Sequence, residues 1–297
     1  MFTGKTHVYG IVGQPVAHSL SPVFQNYFFQ QVNEDAVYVP FPVTESTLDT
    51  ALTGLRHAGV RGLNITVPFK ETVVPWVSCD AAVQVIGAAN TLKATDEGWN
   101  AWNTDWQGVQ AVLQATGLRW QNEALLLFGA GGTARAVLHA AHAAGVAQVW
   151  VCNRSETRCT RLLEHARQQY PEMQVRALPW CATDVTDACG RCAMLVNTTT
   201  IGLSEGQDFP FLLSGTGWAM DAVYRPDGVT ALTRAVQASS ERQVVDGLPM
   251  LVAQGAASFH LWYPQHQPRW QDALAYMEDS LYRQHRCTWV QEDGNEA

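Results

Sequence analysis

Lysine is almost missing from this chain. Its 297 residues hold only Lys5, Lys70 and Lys93, within a Lys+Arg total of 19. Acidic residues number 27, the formal net charge is -8 and the pI is about 5.5. A surface of that sign repels phosphate backbones and anionic headgroups, which argues against a nucleic-acid or membrane partner while leaving room for one local basic pocket. No stretch reaches the roughly 20 apolar residues that a bilayer span needs. The opening MFTGKTHVYGIVG has no long apolar run before a small-residue cleavage site, so no secretory leader is expected. A disulfide framework is also lacking. The 7 cysteines are odd in number and scattered, which suits a reducing cytosol, and the expected compartment is cytoplasmic. Cys189-Gly-Arg-Cys192 is one close pair, but no second pair follows at metal-ligand spacing. It reads as two small apolar residues, and no metal is expected.

What is present is an alternation of strand-like and helix-like segments, with 47% hydrophobic residues and length enough for two cores. HVYGIVG (7–13), AVYVPFPV (36–43) and RGLNITVPF (61–69) read as strands. SPVFQNYFFQQV (21–32) reads as a helix with Ser21 at the N-cap and Pro22 at the first helical position. TLDTALTGLRHAG (47–59) is a helix with a glycine stop. Short strands near 88–94 and 99–103 lead to a helix from about Thr104. A second block opens with the apolar strand ALLLFG (124–129) and the helix GGTARAVLHAAHAAG (131–145). AQVWVCN (147–153), SETRCTRLLEHARQQY (155–170), AMLVNTT (193–199) and GWAMDAVY (217–224) follow as strand, helix, strand and strand. QVVDGL (243–248) leads to two closing helices. Strands spaced by helical patterns imply βαβ units and a parallel sheet. The expected class is α/β with two domains, one of them a Rossmann-type domain.

Gly129-Ala130-Gly131-Gly132-Thr133-Ala134 matches G-x-G-x-x-G/A after a strand and at the start of a helix. Gly129 allows the tight turn, Gly131 lets a pyrophosphate approach the backbone, and Ala134 permits close helix–strand packing. The next strand ends Asn153-Arg154-Ser155, with Arg158 a turn later, where an NAD site usually carries a carboxylate. A guanidinium beside a hydroxyl and an amide suits a 2′-phosphate, so the expected cofactor is NADP, although Glu156 stands close by.

Three polar clusters mark strand ends of the first block: 13–22 with Ser19 and Ser21, 64–71 with Asn64, Thr66 and Lys70, and 89–91 with Asn90. A fourth is Asn103-Thr104-Asp105. In a chain that otherwise uses arginine, Lys70 suggests a group chosen to exchange a proton, and Asp105 is its natural partner if the two strand ends converge.

Taken together, GQPVAHSLSP, LNITVPFK, GAANTL, NTDWQG, FGAGGTARA, NRSETR, NTTTIG, DAVYRP and DGLPMLVAQG resemble the shikimate dehydrogenase family from about residue 7 to 283. The resemblance implies a substrate domain of 1–105 and 247–297 and a Rossmann-type NADP domain of 106–246. It implies that Lys70 and Asp105 are the catalytic pair. Ser19, Ser21 and Tyr224 would hold the shikimate carboxylate, and Asn64, Thr66, Asn90, Asp105 and Gln254 the ring hydroxyls. Gly129, Ala130, Gly131, Gly132 and Thr133 would cradle the pyrophosphate, Asn153, Arg154, Ser155 and Arg158 the 2′-phosphate, and Thr198, Ala222, Gly247 and Met250 the nicotinamide side. The implied activity is NADP-linked interconversion of shikimate and 3-dehydroshikimate in aromatic amino-acid biosynthesis. Thr198, Thr200 and Ala222 depart from the family's commoner Ala, Ser and Met. The alternatives are a quinate/shikimate enzyme with relaxed substrate or NAD use, for which Ser21 would more often be Thr, and a non-catalytic shikimate-binding regulator, which should have lost Lys70 or Asp105. A homodimer remains open as the assembly.

Overall fold

Strands that a sheet covers on both faces read as unbroken apolar runs, and strand Ala124–Phe128 is buried at all five positions. The computed structural model describes residues 2–120, 123–204, 206–281, 283 and 287. Their contacts divide the chain into two units, Met1–Gly108 with Leu251–Met277, and Val109–Met250 with Glu278–Ala297. The family resemblance assigns everything after 247 to the first domain. Among the described residues beyond Met277, Arg283 forms an ion pair with Asp246 of the second unit.

The first unit begins β1 (His7–Gly13), α1 (Ser21–Gln31), β2 (Ala36–Pro42), α2 (Leu48–His57) and β3 (Val60–Ile65). It continues β4 (Ser78–Cys79), α3 (Ala81–Ile86), β5 (Thr91–Ala94) and β6 (Trp99–Trp102). Its sheet order is β2-β1-β3-β5-β6-β4. The sheet is mixed, because β5 pairs antiparallel with both β3 and β6. That hairpin turns the start of β5 toward the end of β3, with Asn64 opposite Thr91 and Thr91 opposite Trp102.

α1 starts one residue earlier than its sequence suggests. Leu20 already has helical dihedrals and occupies the N-cap, while Ser21 lies within the first turn. The Ser21 N–H donates to Ser19 Oγ at 3.2 Å, and no side chain caps the helix.

α4 (Asp105–Ala115) carries the chain into the second unit, which holds β7 (Ala124–Phe128), α5 (Gly132–Ala143), β8 (Gln148–Cys152), α6 (Glu156–Gln169) and β9 (Gln174–Leu178). α7 (Ala182–Cys189), β10 (Met194–Asn197), β11 (Trp218–Asp221), α8 (Ala231–Ser239) and β12 (Gln243–Val245) complete it. Its sheet is parallel throughout, in the order β12-β11-β10-β7-β8-β9. The chain enters at β7, winds outward to β9, then returns to β10 on the other side of β7. That reversal opens a crevice at the carboxyl ends of β7 and β10, the usual ligand position in such sheets. β9, α7 and α8 were not assigned from sequence, although α8 buries Ala231, Leu232 and Val236 along one face. β9 is an edge strand whose positions are mostly exposed, and α7 is short and rich in threonine and aspartate.

α9 (Leu248–Trp262) and α10 (Trp270–Ser280) are the last two helices among the described residues. In the first unit, α9 supplies Phe259 and Trp262 to an aromatic core with Tyr9, Phe28 and Phe29, ring centroids 5.0 to 5.4 Å apart along the α9 contacts. The Trp262 indole lies over Gly62 and donates to Leu92 O at 2.9 Å.

The second unit also fixes one pH response. His139 of α5 is within 3.2 Å of Tyr170 Oη, after α6, and burial followed by the His142 charge lowers its pKa from 6.5. The unfolded chain therefore takes this proton first as pH falls through about 6.5, and stability is lost on the acid side. Melting temperature should drop between about pH 7 and pH 5, and by less in His139→Phe; equal drops in both proteins would show that His139 is not the cause.

Candidate active site

Antiparallel pairing of β5 gathers the first unit's polar strand ends into one place. Lys70 follows β3, Asn90 precedes β5, and Asp105 opens α4 after β6. Backbone bonds tie these segments together: Ala89 N donates to Lys70 O at 2.8 Å, Ile65 N to Asn90 O at 2.8 Å and Asn90 N to Trp102 O at 3.0 Å.

The two groups singled out by chemistry meet. Lys70 Nζ lies 2.6 Å from Asp105 Oδ2, and the lysine side chain is 15% exposed against 5% for the aspartate. Asp105 Oδ1 accepts from Asn90 Nδ2 at 2.9 Å. Both carboxylate oxygens are thus engaged, which holds the ammonium in one place at the open side of the pair. The other two lysines do different work. Lys5 is exposed, while Lys93 donates to Leu261 O at 2.8 Å and so caps the end of α9.

Around the pair stands a wall of amides and hydroxyls. Asn90 Nδ2 is 3.0 Å from Gln254 Oε1, and the Thr104 N–H donates to Asn90 Oδ1 at 2.6 Å. Asn64 Nδ2 donates to Asn90 O and to Ser258 Oγ, both at 3.0 Å, and Tyr38 Oη donates to Asn64 Oδ1 at 2.8 Å. Thr66 is half-buried just beyond β3, and Ser21 is buried at the start of α1 beside Ser19. Asn103 turns away from this wall and donates to Ala88 O at 2.8 Å, a purely local role.

Ser258, Thr91 and Tyr38 complete the network but were assigned no role from sequence. Ser258 bonds within 2.7 to 3.0 Å to Thr91, Thr104 and Asn64. Its signal was available, since Ser258 lies four residues after Gln254 and so shares a face of α9 with it.

The second unit holds the glycine turn at its crevice. Gly129 has φ +111°, and an added Cβ there would fall 2.4 Å from Thr198 Oγ1 at the end of β10. Glycine is required by both conformation and space. Thr198 in turn donates to Phe128 O at 2.8 Å. Gly131 is the N-cap of α5 and offers no side chain to the helix's first N–H groups, and a Cβ on it would meet nothing within 4 Å. Open space above an N-terminus without a side-chain cap fits a pyrophosphate, which the helix dipole favours. Ala130, Gly132 and Thr133 are half-buried around this turn.

Beyond β8, Asn153 Nδ2 donates to Ser155 O at 2.8 Å, and Ser155 Oγ accepts from Arg158 N as the N-cap of α6. Arg154 and Arg158 are exposed, so their guanidinium groups face solvent, as does Glu156. Tyr224 and Ala222 are half-buried after β11, while Gly247 and Met250 are buried near the start of α9. Gly247 is confined, since an added Cβ would lie 2.4 Å from Ala222 O.

The close pair of cysteines is buried in the second unit. Burial pushes the thiols of Cys189 and Cys192 up, to about 12 and about 11. Among the described residues no cluster of His, Cys, Asp and Glu is arranged to hold a metal, and no helix is long and apolar enough to cross a membrane.

These features define the class: a two-unit α/β protein that joins a Rossmann-type nucleotide-binding sheet to a separate unit bearing a buried lysine–aspartate pair. Comparison with known proteins supplies the particular family. Residues 11–92 match the model of the shikimate dehydrogenase substrate binding domain. A shikimate dehydrogenase (NADP(+)) of Anaeromyxobacter dehalogenans is 38% identical over 271 residues, covering 90% of this chain and 95% of the relative. The crystal structure of shikimate dehydrogenase from Aquifex aeolicus superposes with TM-score 0.80 at 32% identity, covering 92% of this chain and 98% of that one. The Thermus thermophilus shikimate 5-dehydrogenase, solved in complex with NADP(H) and shikimate, gives TM-score 0.77 at 32% identity over 93% and 99% of the two chains. The chain belongs to the shikimate dehydrogenase family.

Proposed function

We propose that this chain is an NADP-dependent shikimate dehydrogenase that interconverts shikimate and 3-dehydroshikimate in aromatic amino-acid biosynthesis. The observation that carries this reading is the Lys70–Asp105 pair, 2.6 Å apart and set in a wall of amides and hydroxyls within the unit that matches the family's substrate-binding model.

The first unit acts as the substrate domain and the second as the cofactor domain. Asn64, Thr66, Asn90 and Gln254 offer donors and acceptors suited to a polyhydroxylated ring, and Asp105 joins them. Ser19 and Ser21 supply hydroxyls for the carboxylate, to which Tyr224 is also assigned. Gly129 to Thr133 receive the pyrophosphate, Asn153, Arg154, Ser155 and Arg158 the 2′-phosphate, and Thr198, Ala222, Gly247 and Met250 the nicotinamide end. When bound, NADP⁺ accepts the hydride from C3 of shikimate, and NADPH returns it in reverse. Lys70 Nζ takes the proton of the C3 hydroxyl during oxidation and gives it back during reduction. Asp105 keeps Lys70 aimed and compensates its charge, and the Asn90 amide fixes Asp105. Orientation and proton exchange are the protein's share of the rate.

The test follows nicotinamide absorbance with shikimate or quinate, each with NADP⁺ and with NAD⁺. Turnover confined largely to shikimate with NADP⁺ supports the reading. Comparable quinate or NAD⁺ turnover assigns the broader quinate/shikimate activity instead, and shikimate binding without turnover assigns the regulator. The cofactor assignment has its own variant. A charge-assisted hydrogen bond contributes about 1.5–3 kcal/mol, so Arg154→Asp should raise KM for NADP⁺ by roughly 10- to 100-fold and leave KM for NAD⁺ little changed. An unchanged NADP⁺ preference removes Arg154 from the site.

A further inference from the structure

The most deeply buried ion pair among the described residues lies away from Lys70 and Asp105. Arg283, beyond the last helix, points both terminal nitrogens at Asp246: Nη1 donates to Oδ1 at 3.0 Å and Nη2 to Oδ2 at 2.7 Å. The two side chains are 2% and 3% exposed. The same Nη2 also donates to the backbone oxygen of Arg225 at 2.5 Å. One guanidinium therefore grips two loops that are far apart in sequence, the one after β11 and the one after β12. The backbone continues the link: Gly247 N donates to Val223 O at 2.9 Å, Leu248 N donates to Asp246 Oδ1 at 3.3 Å, and Ala222 N donates to Asn197 O at 2.7 Å. Arg283 is itself anchored, since its N–H donates to Glu278 O at 3.0 Å and the Cys287 N–H donates to Glu278 Oε1 at 2.9 Å.

A surface clamp would need no such burial. A charge pair taken out of water returns little stability compared with apolar packing, so its presence at this position calls for a geometric use. The loops it joins carry Ala222 and Gly247, which approach so closely that an added Cβ on Gly247 would lie 2.4 Å from Ala222 O. Only a planar fork can serve two carboxylate oxygens and a carbonyl together, so lysine would not substitute for it.

We propose that Arg283, through Asp246, is a positioning residue for the nicotinamide end of the cofactor site. This rests on the proposed function, which gives Ala222, Gly247 and Met250 to the nicotinamide. Arg283 and Asp246 touch no reactant. They hold the two loops in register, and the cost of releasing them is misalignment of hydride donor and acceptor rather than loss of an acid or base.

The test compares the full-length enzyme with Arg283→Lys, Arg283→Met and the neutral pair Asp246→Asn/Arg283→Met. Melting temperature, NADPH fluorescence titration, kcat, KM for shikimate and the isotope effect with C3-deuterated shikimate are measured for each. Misplacement of about 1 Å can cost on the order of 100-fold, so kcat in Arg283→Met should fall roughly 10- to 100-fold. The deuterium isotope effect should rise as hydride transfer becomes limiting, and the fluorescence of bound NADPH should change. Arg283→Lys should recover only part of the loss. If Arg283→Met does not fold, the neutral pair carries the test, because it leaves no unpaired buried charge. Folded variants with lower melting temperature but unchanged kcat, isotope effect and NADPH fluorescence would show the clasp to be structural only and overturn the proposal. Failure of the parent reading looks different: the wild-type enzyme would not turn over shikimate with NADP⁺ at all.

Discussion

Replacing Lys70 by alanine lowers kcat by roughly 10²- to 10⁴-fold, the range typical for loss of a general acid–base group, while NADPH binding stays as in the wild type. Lys70 sits 2.6 Å from Asp105, so its removal takes the ammonium out of the pair and leaves the aspartate with Asn90 as a remaining partner. Lys70→Arg is the sharper variant. It keeps the positive charge beside Asp105, but a guanidinium does not release its proton in a protein. If charge alone mattered, arginine would restore activity; if proton exchange matters, both variants stay inactive. Recovery of near wild-type kcat in Lys70→Arg would remove the acid–base role from Lys70. Asp105→Asn separates the second function, because it keeps the side chain's shape and removes its charge. It should lower kcat while the protein still melts cooperatively.

Gly131→Val should weaken cofactor binding sharply without unfolding the protein. The backbone at Gly131 has φ −107°, which any residue adopts, and a Cβ there meets no protein atom within 4 Å. The added side chain therefore costs the fold little and fills the space over the start of α5. NADPH affinity should fall by roughly 100-fold or more, since the backbone can no longer approach a pyrophosphate. Gly129→Ala fails for a different reason. Its φ of +111° and its contact with Thr198 strain the folded chain itself, by about 1–3 kcal/mol for the conformation alone. Titration of both variants with NADPH, beside their melting curves, separates the two effects. Undiminished NADPH binding in a folded Gly131→Val protein would mean that the dinucleotide does not lie over this turn.

What is local in this fold can be read from the residues alone. The glycine turn is legible because strand, turn and helix start lie within a dozen residues, and each glycine answers a constraint imposed by its immediate neighbours. The strand end Asn153-Arg154-Ser155 is legible for the same reason. The long buried strands of the second unit declare themselves by unbroken apolar runs, whereas the edge strand β9, with three of its five positions exposed, does not. Ser21 also reads as a cap, but the helix starts one residue earlier and Leu20, with no capping side chain, takes the N-cap position.

Which polar groups meet is settled by packing at long range. Lys70 and Asp105 are 35 residues apart, and their contact depends on β5 running antiparallel between β3 and β6. No periodicity in the chain distinguishes that hairpin from another parallel pair. Ser258 enters the wall from a helix 194 residues beyond Asn64, and Arg283 reaches Asp246 across 37 residues. The physical reason is the same in each case. A propensity acts over a few residues along the backbone. Which buried donor must find which buried acceptor is settled only when packing excludes water and every polar group has to be satisfied at once.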